Sequence, residues 1–334
     1  MTTEPDMAPA VAAEPMAFSF GNPEPVLGGR AGLLEHMACW NNGRWYETPT
    51  PMEGLSRAAK VSSHHGSAMF YKVGQLVRDF IPHPLLSRET FEGMALDDQV
   101  LANYYVERVN NRLGGSMPLR RSLAKYTRRG VKDGEFFFVQ NWANEHAFKP
   151  GAVFHGRRPG IDQEIYGEPE YLSALQSALL SEDAGLYRRR YYLNGSHSGF
   201  IMYVTDALSI TDADAIRQAL KGAKGPGNFR NLFVHSPTGK EKGIQLLHPA
   251  EAAAKDNFSD IKNVTRDDIL AVHRVYPQLL GVVPSNAGGF GSVKEAAEIF
   301  YETETVPLQN RFKALNEWMG DEVVRFKERV KSPS

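Results

Sequence analysis

The residues with the most obvious chemical potential are histidines and hydroxyl side chains that lie close together in the sequence. Segment 195–199 (GSHSG) has the glycine spacing of a nucleophile elbow, but histidine stands at its centre, where a hydrolase needs serine. His64 and His65 are adjacent, so a helix cannot direct both of them at one metal ion, for which i, i+4 spacing is needed. We therefore predict a packed histidine pair and no hydrolase.

Patterns for phosphate binding and for acid–base catalysis are also missing from the sequence. The nearest approach to a Walker A motif, residues 238–241 (TGKE), lacks the upstream glycine and the final hydroxyl residue. Carboxylates such as Asp162, Glu164 and Asp183 are scattered, without a spacing that would pair them. Cys39 is the only cysteine, which excludes a disulfide framework and a cysteine-rich zinc site. We therefore predict no catalytic residue, no metal and no cofactor.

The composition is ordinary for a globular chain that binds neither membranes nor nucleic acids through a large charged surface. Of 334 residues, 42% are hydrophobic and 23% charged, and the formal net charge is -1. A dedicated DNA-gripping domain would carry a basic surplus. No apolar run is long enough to span a bilayer. Residues 1–20 lack the basic start of a signal peptide and are typical of a disordered acidic tail, so we expect assembly in a reducing cytoplasm.

The element around which the chain is organised is an uncharged loop, residues 276–293, between two helical segments. Thr265 is predicted to cap the helix before it, and Pro277 prevents that helix from continuing. From the end of that helix to the start of the next there is not one charged residue. The helix restarts with a capping box, in which Ser292 and Glu295 satisfy free backbone amides.

A structureless loop of this length, bracketed by strong helix signals, is expected to be functional. Lysine or arginine would add grip on DNA through counterion release, so an uncharged loop suits contact with a polyanion that must slide past. A surface lid or a disordered insert is the alternative. The loop residues expected to meet such a polyanion are Gln278, Ser285, Asn286, Gly288, Gly289 and Phe290.

The first large segment, residues 21–165, reads as a mixture of helices and strands. The β-branched and aromatic residues of segment 97–112 favour a strand, although its pattern also admits a helix. Segments 118–130 and 134–145 are predicted to be two further strands joined by a turn at 132–134. Four arginines there are interpreted as solvated edge-strand charge in preference to a nucleic-acid contact. They are Arg120, Arg121, Arg128 and Arg129.

Two long helices, within residues 166–197 and 251–275, are predicted on either side of a small module. The first has a leucine stripe at helical spacing and a basic end that complements the helix dipole. The module, residues 198–250, is predicted to contain a strand, a helix and a hairpin, and it is too small to be a sound independent domain. Residues 294–334 continue as a helix that Pro307 kinks or interrupts, followed after Gly320 by a charged, mobile tail.

Several segments resemble the portal proteins of tailed bacteriophages, in particular the P2-like, PBSX-type portal family. The resemblance spans the chain from about Phe18 to Gly320. There are two departures: Tyr276 stands where a second proline is expected before Pro277, and little chain follows Gly320. The matching segments are LYRRRYYLNGSHSGFIMYVTD (186–206), IDQEIYGEPEYLSALQSALL (161–180), KGPGNFRNLF (224–233), IKNVTRDDIL (261–270), PQLLGVVPSNAGGFG (277–291), FSFGNPEPVL near the start and the His64-His65 segment.

The resemblance implies an α+β portal fold with a mixed α/β wing, a helical stem, a small α/β clip and an extended tunnel loop. The wing is residues 21–165, the stem helices 166–197 and 251–275, the clip 198–250 and the tunnel loop 276–293. Residues 294–334 return to the wing and leave a rudimentary crown.

The resemblance also implies a homo-oligomeric ring, normally a dodecamer, at one vertex of the capsid in the virion. Its partners are then the terminase large subunit, the major capsid and scaffold proteins, neck or head-completion proteins and double-stranded DNA in the channel, with no membrane. Arg188, Arg189 and Arg190 are expected to pair between subunits or at the helix end. Basic clip residues are expected to meet terminase or neck proteins: Arg217, Lys221, Lys224, Arg230, Lys240 and Lys242.

Two other hypotheses stay open at the level of the sequence. In one, the chain is an enzyme and residues 276–293 form an active-site lid, so that substitution of Gln278 or Asn286 would abolish turnover. In the other, the chain is a connector or adaptor elsewhere in a virion, which binding to terminase would distinguish.

Overall fold

The computed structural model describes residues 16–17, 39–141, 144–193, 201–204, 232–235, 244–247, 252–282 and 292–329. Its α-helices are α1 (Met52–Ala58), α2 (Ser63–Asp79), α3 (Arg88–Leu101), α4 (Leu175–Leu193), α5 (Ala252–Val272), α6 (Val293–Phe300) and α7 (Val306–Met319). Two 3-10 helices (Glu170–Ala174 and Pro277–Leu280) precede α4 and follow α5, and a π-helical segment (Tyr301–Thr305) joins α6 to α7.

The strands are β1 (Met16–Ala17), β2 (Phe80–Ile81), β3 (Asn103–Glu107), β4 (Arg120–Ser122), β5 (Thr127–Arg129), β6 (Phe136–Asn141), β7 (Asn144–Ala147), β8 (Val153–Arg157), β9 (Ile201–Val204), β10 (Leu232–His235), β11 (Ile244–Leu247) and β12 (Arg325–Phe326). The chain divides into a larger unit, residues 25–182 and 263–334, and a smaller unit, residues 1–24 and 183–262. The predicted α+β class is confirmed. Within the described residues, no helix is both long enough and apolar enough to cross a bilayer.

An aromatic cluster joins β2, β3, α3 and α7 in the core of the larger unit. The rings of Phe80 and Phe91 stack with centroids 4.0 Å apart, and Phe312 meets Phe91 edge-on at 5.2 Å. Tyr104 of β3 stacks on the other side of Phe312 at 4.8 Å. All four rings are fully buried. Burial of such large apolar surfaces is the main source of stability, so these residues fix how the two helices pack on the two strands.

The central strand β3 is covered on both of its faces. It lies between β4 and β8 and pairs antiparallel with each. Tyr104 belongs to the aromatic cluster, whereas its neighbour Tyr105 belongs to a second core with Leu175 and Leu179 of α4. Gly156 faces Tyr104 across the sheet, and a Cβ atom there would fall 2.0 Å from the tyrosine ring, so only glycine fits.

The prediction of a strand for segment 97–112 was wrong in its first part. Residues 97–101 are the last turn of α3, and the strand begins at Asn103. Ser87 caps α3 by accepting a hydrogen bond from the Thr90 amide at 3.1 Å. That capping signal lies ten residues upstream of the segment and was not considered with it. The apparent alternation of Val100, Tyr104 and Val106 therefore combined the end of a helix with the start of a strand.

Strands are present in both segments 118–130 and 134–145, but neither is one continuous strand. Segment 134–145 contains β6 and the start of β7, and segment 118–130 is divided as well. It forms β4 and β5 with a turn between them, and β5, β6 and β7 make a second antiparallel sheet. The predicted turn at 132–134 is confirmed, with Gly134 in the left-handed region at φ 74°.

The hairpin predicted within residues 198–250 was also wrong. In the smaller unit, β10 and β11 do not pair with each other, because β9 lies between them. Strand β10 runs parallel to β9, and β11 runs antiparallel to it. β1 adds an edge strand to β10, so residues 16–17 do not belong to a disordered tail. The helix predicted from Thr211 lies outside the described residues.

Two expectations about the C-terminal region were wrong, and others are confirmed. Thr265 does not cap a helix: it is buried inside α5, which starts at Ala252. The tail after Gly320 was predicted to be mobile, but residues 321–329 pack into the core of the larger unit. β12 pairs with β2, and Val323 and Val324 are fully buried. Ser292 does cap α6. The interruption expected at Pro307 is present as the π-helical segment.

Candidate functional site

Six charged side chains form one continuous chain of ion pairs in the larger unit. The chain joins α2, α3, the end of β8, the 3-10 helix before α4, the end of α5 and the π-helical segment. The last three of these elements are where the first long helix starts, where the second long helix ends and where the chain returns after residues 276–293. Its members, in order of contact, are Lys72, Glu304, Arg274, Glu170, Arg158 and Asp98.

The first half of this ion chain links both sides of the segment 276–293. Lys72 Nζ donates to Glu304 Oε2 at 2.9 Å, and Arg274 Nη1 donates to Glu304 Oε1 at 3.4 Å. The same Arg274 nitrogen donates to Glu170 Oε2 at 3.0 Å. The Arg274 guanidinium therefore ties the C-terminal end of α5 to the π-helical segment and to the 3-10 helix before α4.

The second half anchors this assembly to the centre of the larger unit. Arg158 Nη1 lies 3.3 Å from Glu170 Oε1. Its other nitrogens contact Asp98, with Nη2 donating to Oδ2 at 2.6 Å and Nε donating to Oδ1 at 3.3 Å. Charge-assisted pairs with two donors on one carboxylate are the strongest type in proteins.

Burial makes each of these charges depend on its neighbours. Lys72, Asp98, Arg158 and Glu304 are all buried. Burial lowers the pKa of Lys72, and Glu304 opposes that shift. At Glu170 burial would raise the pKa, but the nearby cations, Arg158 foremost, hold it below its usual value. The formal charges of the six cancel, and removal of one would leave an uncompensated buried charge, which is strongly destabilising.

The backbone at Arg274 is shaped to place its side chain. The residue has φ 54°, in the left-handed region that favours glycine. Its amide donates to the Ala271 carbonyl and the Val275 amide donates to the Leu270 carbonyl, both at 3.0 Å, which is a Schellman motif. Arginine at this position costs about 1–2 kcal/mol relative to the right-handed region. Its two carboxylate partners explain why a charged residue stands there.

The first residues of the predicted loop are ordered. Residues 277–280 form a 3-10 helix that begins with proline and ends at Gly281, whose φ is 70°. Leu279 and Leu280 pack against a small core that contains Leu270, Val275 and Phe300. The loop was predicted to be structureless throughout, and for these residues that was wrong because their leucines have apolar surface to cover.

A buried histidine pair lies directly beside the ion chain. His273 Nε2 is 2.9 Å from His65 Nδ1, and neither ring is more than 4% exposed. Tyr171 meets the His65 ring edge-on with centroids 4.7 Å apart. Burial lowers the pKa of His65 to about 4, and burial together with His65, Lys72 and Arg158 lowers that of His273 to about 3. Both rings are neutral near pH 7. His65 is packed as predicted, but its histidine partner is His273 and not the adjacent His64.

The predicted site residues of the loop fall mostly outside the described part of the chain. Gln278 lies in the 3-10 helix, half-buried, and its Oε1 has no hydrogen-bond partner among the described residues. The other five lie outside the described residues: Ser285, Asn286, Gly288, Gly289 and Phe290. Their proposed role stays a prediction.

The basic residues predicted for the stem and clip are also only partly described. Arg188 and Arg189 are exposed on the last turns of α4, and the side chain of Arg190 lies outside the described residues. The predicted clip residues all lie outside them: Arg217, Lys221, Lys224, Arg230, Lys240 and Lys242.

The arginine cluster around β4 and β5 is not mainly solvated, as expected, but paired. Arg121 binds Asp97 of α3 through two nitrogens, at 2.7 and 2.6 Å. Arg128 reaches Glu47 at 3.2 Å, and Arg129 reaches Asp133 at 3.5 Å. Of the four, Arg120 is exposed. The partners of Arg121 and Arg128 are distant in sequence, whereas Asp133 lies four residues after Arg129.

Sequence patterns do not reveal the ion chain. Asp98 and Arg158 are 60 residues apart, and Lys72 and Glu304 are 232 apart. One local signal was available: Arg274 is the last charged residue before the uncharged span. Among the described residues, no group of three or more histidine, cysteine, aspartate or glutamate side chains could hold a metal ion.

Two related phage proteins cover most of the chain. It is 44% identical to the probable portal protein of Escherichia phage P2 over 312 residues, which is 93% of this chain and 90% of that protein. It is 29% identical to the probable portal protein of Haemophilus phage HP1 over 275 residues, which is 80% and 79% of the two chains. No family model matches the chain.

Solved structures with little sequence identity share the fold. A chain of the virion of a native gene transfer agent particle matches 91% of this chain and 90% of its own length, with TM-score 0.61 and 16% identity. An HK97-family phage portal protein from Corynebacterium diphtheriae matches 81% and 94%, with TM-score 0.56 and 13% identity. The fold predicted from the sequence is therefore confirmed.

We expect substitution of Glu304 by glutamine to be strongly destabilising, because Lys72 and Arg274 would lose their shared carboxylate. The loss in the free energy of unfolding is expected to be about 3–5 kcal/mol in urea denaturation. The double variant Lys72→Met/Glu304→Gln should lose less than the sum of the two single variants. The control is Glu298→Gln, since Glu298 forms an exposed pair with Lys294 and should cost under about 0.5 kcal/mol. Equal losses in Glu304→Gln and Glu298→Gln would contradict a buried network.

The histidine pair predicts that stability falls between about pH 6.5 and pH 4. Both folded pKa values lie below the ordinary value of 6.5, so only the unfolded chain takes up protons in this range. Stability is therefore fully present above pH 6.5, and each histidine should remove about 2 kcal/mol by about pH 5.

Thermal midpoints across this range test the assignment to the two histidines. His273→Gln should remove about a third of the pH dependence, because burial also holds the pKa of His155 well below its ordinary value. His146→Gln, at an exposed histidine, should leave it unchanged. An unaltered slope in His273→Gln would refute the assignment.

Proposed function

The chain belongs to the phage portal protein family, and we propose that copies of it assemble into a closed ring whose central channel conducts double-stranded DNA. The observation that carries the proposal is the 44% identity to the phage P2 protein over 93% of this chain. A structural match to the neck of a native gene transfer agent particle with twelvefold symmetry supports a ring, with TM-score 0.57 over 84% of this chain. Such a ring is a dodecamer at the portal vertex of the virion, assembled in the host cytoplasm.

We assign the segments of the chain to the parts of such a ring. Residues 21–165 and 294–334 form the wing, 166–197 and 251–275 the stem, 198–250 the clip and 276–293 the tunnel loop. The division of the chain into two units supports this assignment, because the unit boundaries fall at residues 182–183 and 262–263, inside the two long helices. The described residues at the C-terminal end pack into the same core as residues of the proposed wing, since β12 pairs with β2 and Val323 and Val324 are buried there.

The tunnel loop is suited to DNA that moves past it. Each lysine or arginine near the phosphates would release counterions and add affinity, and an uncharged segment adds none. The ion chain supports the ends of the loop, because Arg274 binds Glu170 and Glu304 on either side of it. In this arrangement the loop contacts DNA weakly while its ends stay fixed to the wing.

We propose that the chain is a mechanical part of the particle and not an enzyme. Its partners would be the terminase large subunit, the major capsid and scaffold proteins and the neck proteins, with the basic clip residues as docking groups for terminase and neck. Arg188 to Arg190 would form ion pairs between subunits or interact with the C-terminal end of α4. Positive charges are favourable there because they complement the negative end of the helix dipole. Charge reversal at these arginines should then disturb ring formation before DNA affinity.

The ring is tested by electron microscopy and native mass spectrometry of the purified chain. We expect a large closed oligomer with a pore wide enough for duplex DNA, because the related neck was solved with ring symmetry. A chain that stays monomeric in all conditions, including in the presence of scaffold and capsid protein, would refute the proposal.

The sliding contact is tested by inserting a charge into the tunnel loop. Ser285→Arg should leave ring assembly intact but slow DNA packaging or reduce DNA retention, because each added cation grips the phosphates. Packaging is measured with purified capsids, terminase and ATP, and Ser285→Thr serves as the uncharged control. Normal packaging rate and DNA length in Ser285→Arg would argue against the mechanism.

A further inference from the structure

We propose that two loops at opposite ends of the β4-β3-β8 sheet contact each other between neighbouring copies of the chain. The inference rests on the ring proposed above and names the residues that join its subunits. The first loop, residues 108–119, connects β3 to β4, and the second, residues 158–166, follows β8. Each is built on the side chain of one amide residue and presents one large aliphatic side chain to solvent.

The first loop is a tight turn organised by Asn111. The Asn111 Oδ1 atom accepts hydrogen bonds from the amides of Leu113 and Gly115, both at 2.9 Å. Its own amide donates to the Gly115 carbonyl at 2.8 Å, and Gly114 takes the left-handed conformation at φ 84°. At the tip, Leu113 is 96% exposed. The turn therefore holds a leucine in a fixed position in water.

The second loop has the same construction around Gln163. Its Oε1 atom accepts hydrogen bonds from the amides of Ile165 and Tyr166, both at 2.7 Å, and its Nε2 atom donates to the Tyr166 carbonyl at 2.6 Å. Cys39 Sγ lies 3.5 Å from the same Oε1 atom. Ile161 of this loop is 99% exposed. Here too an ordered loop carries an aliphatic side chain that the rest of the described chain does not cover.

The strand register places the two loops at opposite ends of one sheet. In the antiparallel pair, Asn103 faces Arg157 and Glu107 faces Val153. The first loop leaves the sheet after Glu107, and the second leaves it after Arg157. A head-to-tail contact requires two different surfaces of a subunit, and such contacts close into rings when the rotation fits.

The charges beside the two aliphatic side chains are opposite. Segment 108–120 contains no acidic residue, and its Arg112 and Arg120 are exposed. In the second loop the exposed charged residues are Asp162 and Glu164, whereas Arg158 is buried and paired with Asp98 in the ion chain. A basic loop with a leucine and an acidic loop with an isoleucine complement each other, whereas two copies of the same loop would repel. This selects a second copy of the chain as the partner.

The experiment measures assembly of the full-length chain by native mass spectrometry and sedimentation. Leu113→Asp and Ile161→Asp, each alone, should raise the protein concentration needed for half-assembly at least tenfold. Both positions are exposed, so the circular dichroism and thermal midpoint of each variant should match those of the unaltered chain. Val131→Asp is the matched control, at an exposed valine outside both loops, and should assemble normally.

Mixing the two variants tests whether the contact runs head to tail. Leu113→Asp keeps an intact second loop and Ile161→Asp keeps an intact first loop, so one good contact forms between them and no other. The expected product is a one-to-one heterodimer that does not grow. Homodimers of either single variant would indicate that like loops pair, and this would overturn the proposal.

Charge exchange gives an independent readout. Arg112→Glu should weaken assembly, and the added substitution Glu164→Arg should restore at least half of the loss. Absence of any rescue, or equal weakening by Val131→Asp, would overturn the proposal. If the unaltered chain forms rings and both aspartate variants do so at the same concentration, this inference fails while the ring stands. If the unaltered chain forms no ring, the proposed function itself fails.

Discussion

The structure of the larger unit depends on the ion chain, in which four buried charges and the more exposed Arg274 and Glu170 neutralise one another in a line. Each anion in the interior of the line touches two cations, and Arg274 touches two anions. Burial of a charge is costly, so the line is stable only when all its members are in place. Those members lie on six elements far apart in the sequence. A shift of any one element would therefore separate a charge from its partner, which restricts the elements to one relative arrangement.

Local backbone features serve this arrangement. Arg274 occupies a left-handed position at the end of α5, where glycine would be easier to accommodate. The π-helical segment places Glu304 between Lys72 and Arg274, and Pro307 just beyond it cannot supply a helical amide. The neutral pair of His65 and His273 fills the adjacent interior without adding a charge. Two unfavourable local conformations are thus offset by the contacts that they make possible.

The signals that sequence analysis interpreted correctly are local ones. Ser292 and Gly320 mark helix ends through their own backbone and side-chain chemistry. Pro277, predicted to stop the helix before it, instead begins the 3-10 helix, because α5 has already ended at Val272. The pairing of Lys72 with Glu304, or of β9 with β10 and β11, depends on chain segments brought together only by the fold. Segment 97–112 failed because one periodic pattern spanned two elements. The portal fold was predicted from a whole-chain resemblance, which no single element could have provided.

In the proposed ring, the ion chain explains how the tunnel loop can be attached firmly and still contact DNA weakly. A segment that passes DNA without gripping it must still be attached firmly at both ends, and the strongest attachments available use cations. Arg274 is the last charge before the uncharged span, and its side chain is 57% exposed. Two carboxylates hold it, so its positive charge is balanced where it stands and would add little counterion release at a nearby phosphate. Strong attachment and weak DNA contact are compatible because the cation that provides the first is neutralised by Glu170 and Glu304.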